Sequence, residues 1–149
     1  MNSPSHTAVD ILLIEDSPTD ALITREALAQ ARVLNRLHHV EDGCEAMEFL
    51  RRTGAFANAP RPGIILLDLN LPKKSGLDVL TEIKADPDLQ TIPVVVLTTS
   101  NASVEVEAAY RLHANCFITK PVDFEEMARS IRALENFWFS IVTLPSSPA

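Results

Sequence analysis

Five short apolar runs alternate with amphipathic stretches along this chain, and few architectures accommodate that order. "VDILLI" (9–14), "IILL" (64–67) and "PVVVL" (93–97) are near-continuous apolar runs, the pattern of strands buried on both faces. Pro93 is tolerable at a strand's first residue. "RLHHV" (36–40) and "CFIT" (116–119) are weaker, as flanking strands tend to be. Helical patterns fill the gaps. Ser17 and Pro18 read as an N-cap and first helical position ahead of "ALITREALAQA". Asp42-Gly43 turns the chain into "CEAMEFLRR"; Gly76 opens "LDVLTEIKA", which Asp86-Pro87 ends; "SVEVEAAYRL" is a fourth helix. In the fifth, Phe124, Met127, Ile131, Leu134 and Trp138 share one face at helical spacing. Five strand–helix pairs predict an α/β fold, a doubly wound parallel sheet.

At 149 residues the chain suits one domain, burying roughly 68–70% of its unfolded surface without staples. No segment approaches the ~20 apolar residues that span a bilayer, and "MNSPSHTAVD" lacks the features of a signal peptide. Cys44 and Cys116 have no metal-ligand or redox spacing and are expected to be reduced. Lys and Arg are scattered over a net charge of −7, which argues against a nucleic-acid surface. The expectation is a cytoplasmic, acidic domain that binds neither membrane nor nucleic acid.

In an open parallel sheet, ligands bind beyond the carboxyl ends of the strands, where strand order reverses. Strand 1 ends in Glu15-Asp16, strand 3 in Asp68, strand 4 in Thr98-Thr99 and strand 5 in Thr119-Lys120-Pro121. A carboxylate closing the most apolar strand must be paired, bind a metal or do chemistry, because an isolated buried charge is too costly. Three carboxylates in one crevice repel, so a divalent cation is their natural partner, and hard oxygens favour Mg2+. With the cation bound, Asp68 could act as a nucleophile toward phosphorus, Lys120 could neutralise phosphoryl oxygens, and the Thr98 hydroxyl could hydrogen-bond one.

"ILLIEDS", "IILLDLNLPKKSG", "VVVLTTS" and "FITKP" together resemble the receiver domain of bacterial two-component response regulators. The motifs stand in the family's order and span about residues 9–135. The resemblance implies a flavodoxin-like (βα)5 fold with strand order 2-1-3-4-5. It further implies that Asp68 is the phosphoacceptor and that Glu15 and Asp16 hold Mg2+ directly or through water, with Asp68 and the Asn70 carbonyl. Thr98 and Lys120 match the phosphoryl-binding hydroxyl and ammonium, and Pro121 the proline that follows a cis bond. Phe117 stands at the aromatic switch position; its plainer reading is a core phenylalanine. Thr99 replaces the family's small residue, and Ser75 its common Asp before Gly76. The implied reaction is phosphoryl transfer from a phosphohistidine of a sensor kinase to Asp68, the receiver catalysing its own phosphorylation and dephosphorylation.

The chain ends soon after the fifth helix, so its output is expected to be protein contacts or onward transfer to a histidine phosphotransfer protein. The domain reading is a tail over 1–8, a receiver over 9–135 and an apolar extension over 136–149. Phe137, Trp138, Phe139, Ile141, Val142 and Leu144 of that extension read as a dimerisation arm, the alternative being a tail folded on its own sheet. "LPKKSG", "VVVLTTSN", "ANCFITKP" and "FWFSIVTLP" are similar to single-domain response regulators paired with phytochrome photoreceptor kinases. Two rivals stand beside this reading. A phosphatase of the haloacid dehalogenase type needs an Asp where Asn70 stands, and a phosphorylation-independent adaptor would leave the acidic cluster unused. Lys73-Lys74 reads as a solvated loop face before an anion-steering one. His38, His39 and His113 fall on a flanking strand and at a helix end, away from the acidic cluster, and carry no assigned function.

Overall fold

The computed structural model describes residues 8–98, 107–108, 111, 114, 116–119 and 123–141, without the side chains of 98, 116, 117, 119 and 137–141. The elements are β1 (Val9–Ile14), α1 (Pro18–Ala29), β2 (Asn35–Val40), α2 (Gly43–Arg51), β3 (Ile64–Asp68), α3 (Gly76–Ala85), β4 (Val94–Thr98), β5 (Cys116–Thr119) and a C-terminal helix (Phe124–Ile141). The sheet has the order β2-β1-β3-β4-β5 and every pairing is parallel, the doubly wound topology expected from the alternation. Of the expected fourth helix, Glu107, Ala108 and Arg111 are helical, and the rest lies outside the described residues.

Strand alternation divides the apolar side chains between two cores. Leu12, Ile14, Ile65, Leu67, Val94 and Val96 face α2 and α3, meeting Met47, Leu50, Val79, Leu80 and Ile83. Ile11, Leu13, Leu66, Val95 and Leu97 face α1 and the C-terminal helix, meeting Ala21, Leu28, Met127 and Ile131. Burial of each such large side chain contributes about 1.5–3 kcal/mol. The central strands are covered on both sides, which is why they read as unbroken apolar runs.

Local chemistry sets the element ends. Ser17 Oγ accepts from Asp20 N at 3.2 Å and Ser75 Oγ from Asp78 N at 3.1 Å, capping α1 and α3. Asp42 is the cap of α2 rather than half of a turn before it, its Oδ1 accepting from Glu45 N at 2.8 Å. α1 stops two residues short of the expected Ala31, because the N–H groups of Gln30 and Ala31 bond three residues back, to Ala27 and Leu28. β4 begins at Val94; Pro93 has no N–H for the ladder, but its carbonyl accepts from Ile65 N at 2.9 Å.

The C-terminal helix runs unbroken through 136 into the apolar extension, as far as Ile141. Asp123 Oδ1 accepts from Glu126 N at 2.8 Å at its start. Glu135 is buried and its Oε2 accepts from Val33 N at 2.8 Å, tying this helix to the connection between α1 and β2. No described helix is long and apolar enough to cross a membrane.

Candidate functional site

β1 and β3 are adjacent, and Ile14 pairs with Leu67, so Glu15 and Asp68 emerge side by side from the sheet. This is the point where strand order reverses, since the chain passes from β1 outward to β2 and then back across to β3. Glu15, Asp16 and Asp68 each bring a carboxylate oxygen to within 4.8 Å of the others. Glu15 is fully buried, Asp68 is 4% exposed, and Asp16 faces solvent. At that spacing the buried pair, Glu15 and Asp68, repels by about 3.5 kcal/mol at an effective dielectric near 20, while water screens the two pairs that include Asp16. Two buried carboxylates and one open to water form a hard-oxygen set of the kind that suits a small divalent cation with part of its water shell.

The two buried members are each held by the backbone N–H two residues on. Glu15 N donates to Val40 O at 3.0 Å, and Ser17 N donates to Glu15 Oε2 at 3.2 Å. Asn70 N donates to Asp68 Oδ1 at 2.9 Å, closing a tight turn directly after β3. β4 carries Thr98 to the same end of the sheet, where Leu97 pairs with Asp68 and Thr98 with Thr119 of β5. The side chains of Thr98 and Phe117, and all of Lys120 and Pro121, lie outside the described residues.

The loop after Asp68 is gripped by two glycines. A Cβ on Gly76 would lie 2.4 Å from Asp68 O and 2.5 Å from Leu69 Cα, so only glycine lets α3 start this close to β3. A Cβ on Gly43 would lie 2.3 Å from Lys74 O, and the loop rests directly on the start of α2. Lys73, at φ 68°, places Nζ 3.4 Å from Asp42 Oδ2, while Lys74 pairs with Glu82. Lys73 stays largely exposed, the solvated face expected of it, while pairing with the cap of α2; the half-buried Lys74 ties the loop to α3. Burial alone would raise the Asp42 carboxyl, but the N–H of Glu45 and the ammonium of Lys73 hold it below its ordinary value.

The histidines differ from expectation. His39 is not remote from the acidic cluster, since its Nε2 lies 2.7 Å from the carbonyl oxygen of Glu15. His38 turns to the other face, where Nε2 meets Asp10 Oδ1 at 2.9 Å and the ring packs on Phe49. A strand alternates its side chains, so neighbours in sequence reach opposite layers. His113 lies outside the described residues. Gly43, Gly76 and His39 help build the site, a role the sequence pattern did not reveal: both glycines read there only as residues that turn the chain into a helix.

A family model for the response regulator receiver domain matches residues 11–132. The chain belongs to this family. A curated receiver relative, response regulator Rcp1 of Synechocystis sp., is 46% identical over 147 residues, covering 99% of this chain and 100% of the relative. The crystal structure of the phosphorylated cyanobacterial phytochrome response regulator RcpA matches with a TM-score of 0.86 and 48% identity, over 94% of this chain and 100% of that one. The Mn2+-bound form of Rcp1 matches with a TM-score of 0.84 and 47% identity, over 93% and 99%. The receiver is thus a two-component signalling protein, homologous to phytochrome response regulators, with the flavodoxin-like fold that its motifs implied.

Proposed function

We propose that this receiver accepts a phosphoryl group on Asp68 from a phosphohistidine of a phytochrome photoreceptor kinase. The observation that carries the reading is the convergence of Glu15, Asp16 and Asp68 within 4.8 Å at the switch point, with the buried β3 delivering Asp68 to its rim. Mg2+ is the cofactor that fits this oxygen set, and the Mn2+-bound form of a 47% identical relative supports a divalent ion there. Glu15, Asp16, Asp68 and the carbonyl of Asn70 would hold it. When bound, the ion offsets the negative charge gathered between the carboxylate and the incoming phosphoryl group.

This chain's own residues supply the remaining chemistry. A carboxylate oxygen of Asp68 attacks phosphorus as the bond from phosphorus to the histidine nitrogen breaks, leaving an aspartyl phosphate and a free imidazole. The bond from Asn70 N orients Asp68 for that approach. Thr98, which β4 brings to the same strand end, and Lys120, just past β5, serve as hydroxyl and ammonium partners of the phosphoryl oxygens. The same groups position water for hydrolysis, so the protein catalyses both its phosphorylation and its dephosphorylation. Thr98 moving toward the phosphoryl group gives Phe117 space to rotate, which reshapes the surface around β5.

The receiver unit spans 9–135, preceded by a tail over 1–8. The extension over 136–149 serves as a dimerisation arm through Phe137, Trp138, Phe139, Ile141, Val142 and Leu144; the reading is supported by its first residues continuing the C-terminal helix to Ile141. Signalling proceeds in the cytoplasm through contacts of the homodimer or onward transfer to a histidine phosphotransfer protein. The test is incubation with acetyl phosphate, with and without Mg2+, read by intact mass. One Mg2+-dependent phosphoryl addition is expected in the wild type and none in Asp68→Asn; addition without Mg2+, or in the variant, contradicts the reading.

A further inference from the structure

The turn that presents Asp16 hangs on one edge-strand histidine. Glu15 is the last residue before that turn, and β2 holds both of its backbone polar groups. Its N–H donates to Val40 O at 3.0 Å, and its carbonyl lies 2.7 Å from His39 Nε2. A carbonyl oxygen only accepts, so Nε2 carries the proton and His39 donates. The bond is side chain to backbone, and the ladder between β1 and β2 does not supply it; the paired register ends with Ile14 and Val40. Without His39 the carbonyl of Glu15 would lose this bond to β2, and with it one restraint on the peptide leading into Asp16.

The geometry points to His39 as a positioning residue for the metal site: by holding the Glu15 carbonyl it fixes the peptide that aims the exposed Asp16 at the same point as the buried Glu15 and Asp68 carboxylates. Asp16 is the member that needs this most. Glu15 is sealed in the core and its Oε2 is tied to Ser17 N, and Asp68 sits at the end of a strand paired on both sides. The solvent-facing Asp16 inherits its direction from the backbone on which it stands. Groups behind metal ligands fix ligand orientation, and their loss weakens metal binding by roughly 10–100-fold.

The inference rests on the metal-site reading above, and the experiment separates the two. Mg2+ dissociation constants are measured by calorimetry for the wild type, His39→Val and His39→Gln, together with the Mg2+ dependence of acetyl phosphate labelling and urea midpoints in EDTA. Valine suits the strand but removes the donor; glutamine keeps an N–H that can reach the carbonyl. We expect Mg2+ to bind His39→Val about tenfold more weakly, with the labelling rate at saturating Mg2+ and the EDTA midpoint near wild type, and His39→Gln to recover most of the affinity. Wild-type affinity in His39→Val overturns the positioning role, and so does an equal loss in both variants. A wild-type protein that fails to bind Mg2+ overturns the metal reading and the inference with it.

Discussion

Neutralising Asp68 should stabilise the metal-free protein and destroy its response to Mg2+. Three carboxylates hold oxygens within 4.8 Å of one another, and two of them are buried, so without a cation the folded state carries repulsion that the unfolded chain largely escapes. At an effective dielectric near 20 the buried pair, Glu15 and Asp68, is worth about 3.5 kcal/mol, and Asp68 also faces Asp16. Water around the exposed Asp16 screens its share, which leaves a net gain of about 1–3 kcal/mol for Asp68→Asn. For a chain of this length that is a rise in melting temperature of roughly 2–10 °C. Mg2+ inverts the ranking: at about 100 times its dissociation constant it adds about 2.7 kcal/mol to the wild type, and far less to a site lacking one carboxylate. Urea unfolding of both proteins in EDTA and in Mg2+ gives all four stabilities. An asparagine variant less stable than wild type in EDTA would refute the stored repulsion. A wild type indifferent to Mg2+ would refute the cation that offsets it.

Other perturbations follow from named contacts. Gly76→Ala drives a methyl group into the Asp68 and Leu69 backbone, at a cost of about 1–3 kcal/mol, and should slow acetyl phosphate labelling as well as lower the melting temperature. Asp42 is held below its ordinary 3.8, so its contribution is present above pH 4 and lost as pH falls below it. Asp42→Asn, which retains a capping oxygen, should therefore flatten the acid side of a stability–pH profile measured by urea unfolding. Trp138→Ala should reduce self-association measured by analytical ultracentrifugation, before and after phosphorylation, without altering the labelling rate. Phe117→Ala should leave labelling intact while weakening any association that phosphorylation induces.

Much of this could be read from sequence because the informative patterns are local. Unbroken apolar runs reflect strands covered on both faces, and Ser17, Asp42 and Ser75 stand where helices must satisfy their first N–H groups. The carboxyl ends of β1 and β3 then place Glu15, Asp16 and Asp68 together by topology alone. Contacts between elements were not legible. Whether His38 or His39 meets the acidic turn depends on which face each takes on β2, and composition offers no phase for a strand of mixed polarity. Lys73 is exposed, as its loop suggested, but the pairing of Lys73 with Asp42 and of Lys74 with Glu82 was hidden because those partners lie on other elements. Gly43 and Gly76 looked like ordinary turn residues until the backbone approaching each was seen.

The most direct measurement is chemical location of the phosphoryl group. Protein labelled with acetyl phosphate and Mg2+ is reduced with borohydride, which converts an aspartyl phosphate to homoserine, then digested and sequenced by mass spectrometry. The account predicts homoserine at position 68 alone. Reduction at Asp16 or any other carboxylate, or a phosphoryl group that resists borohydride, would contradict it.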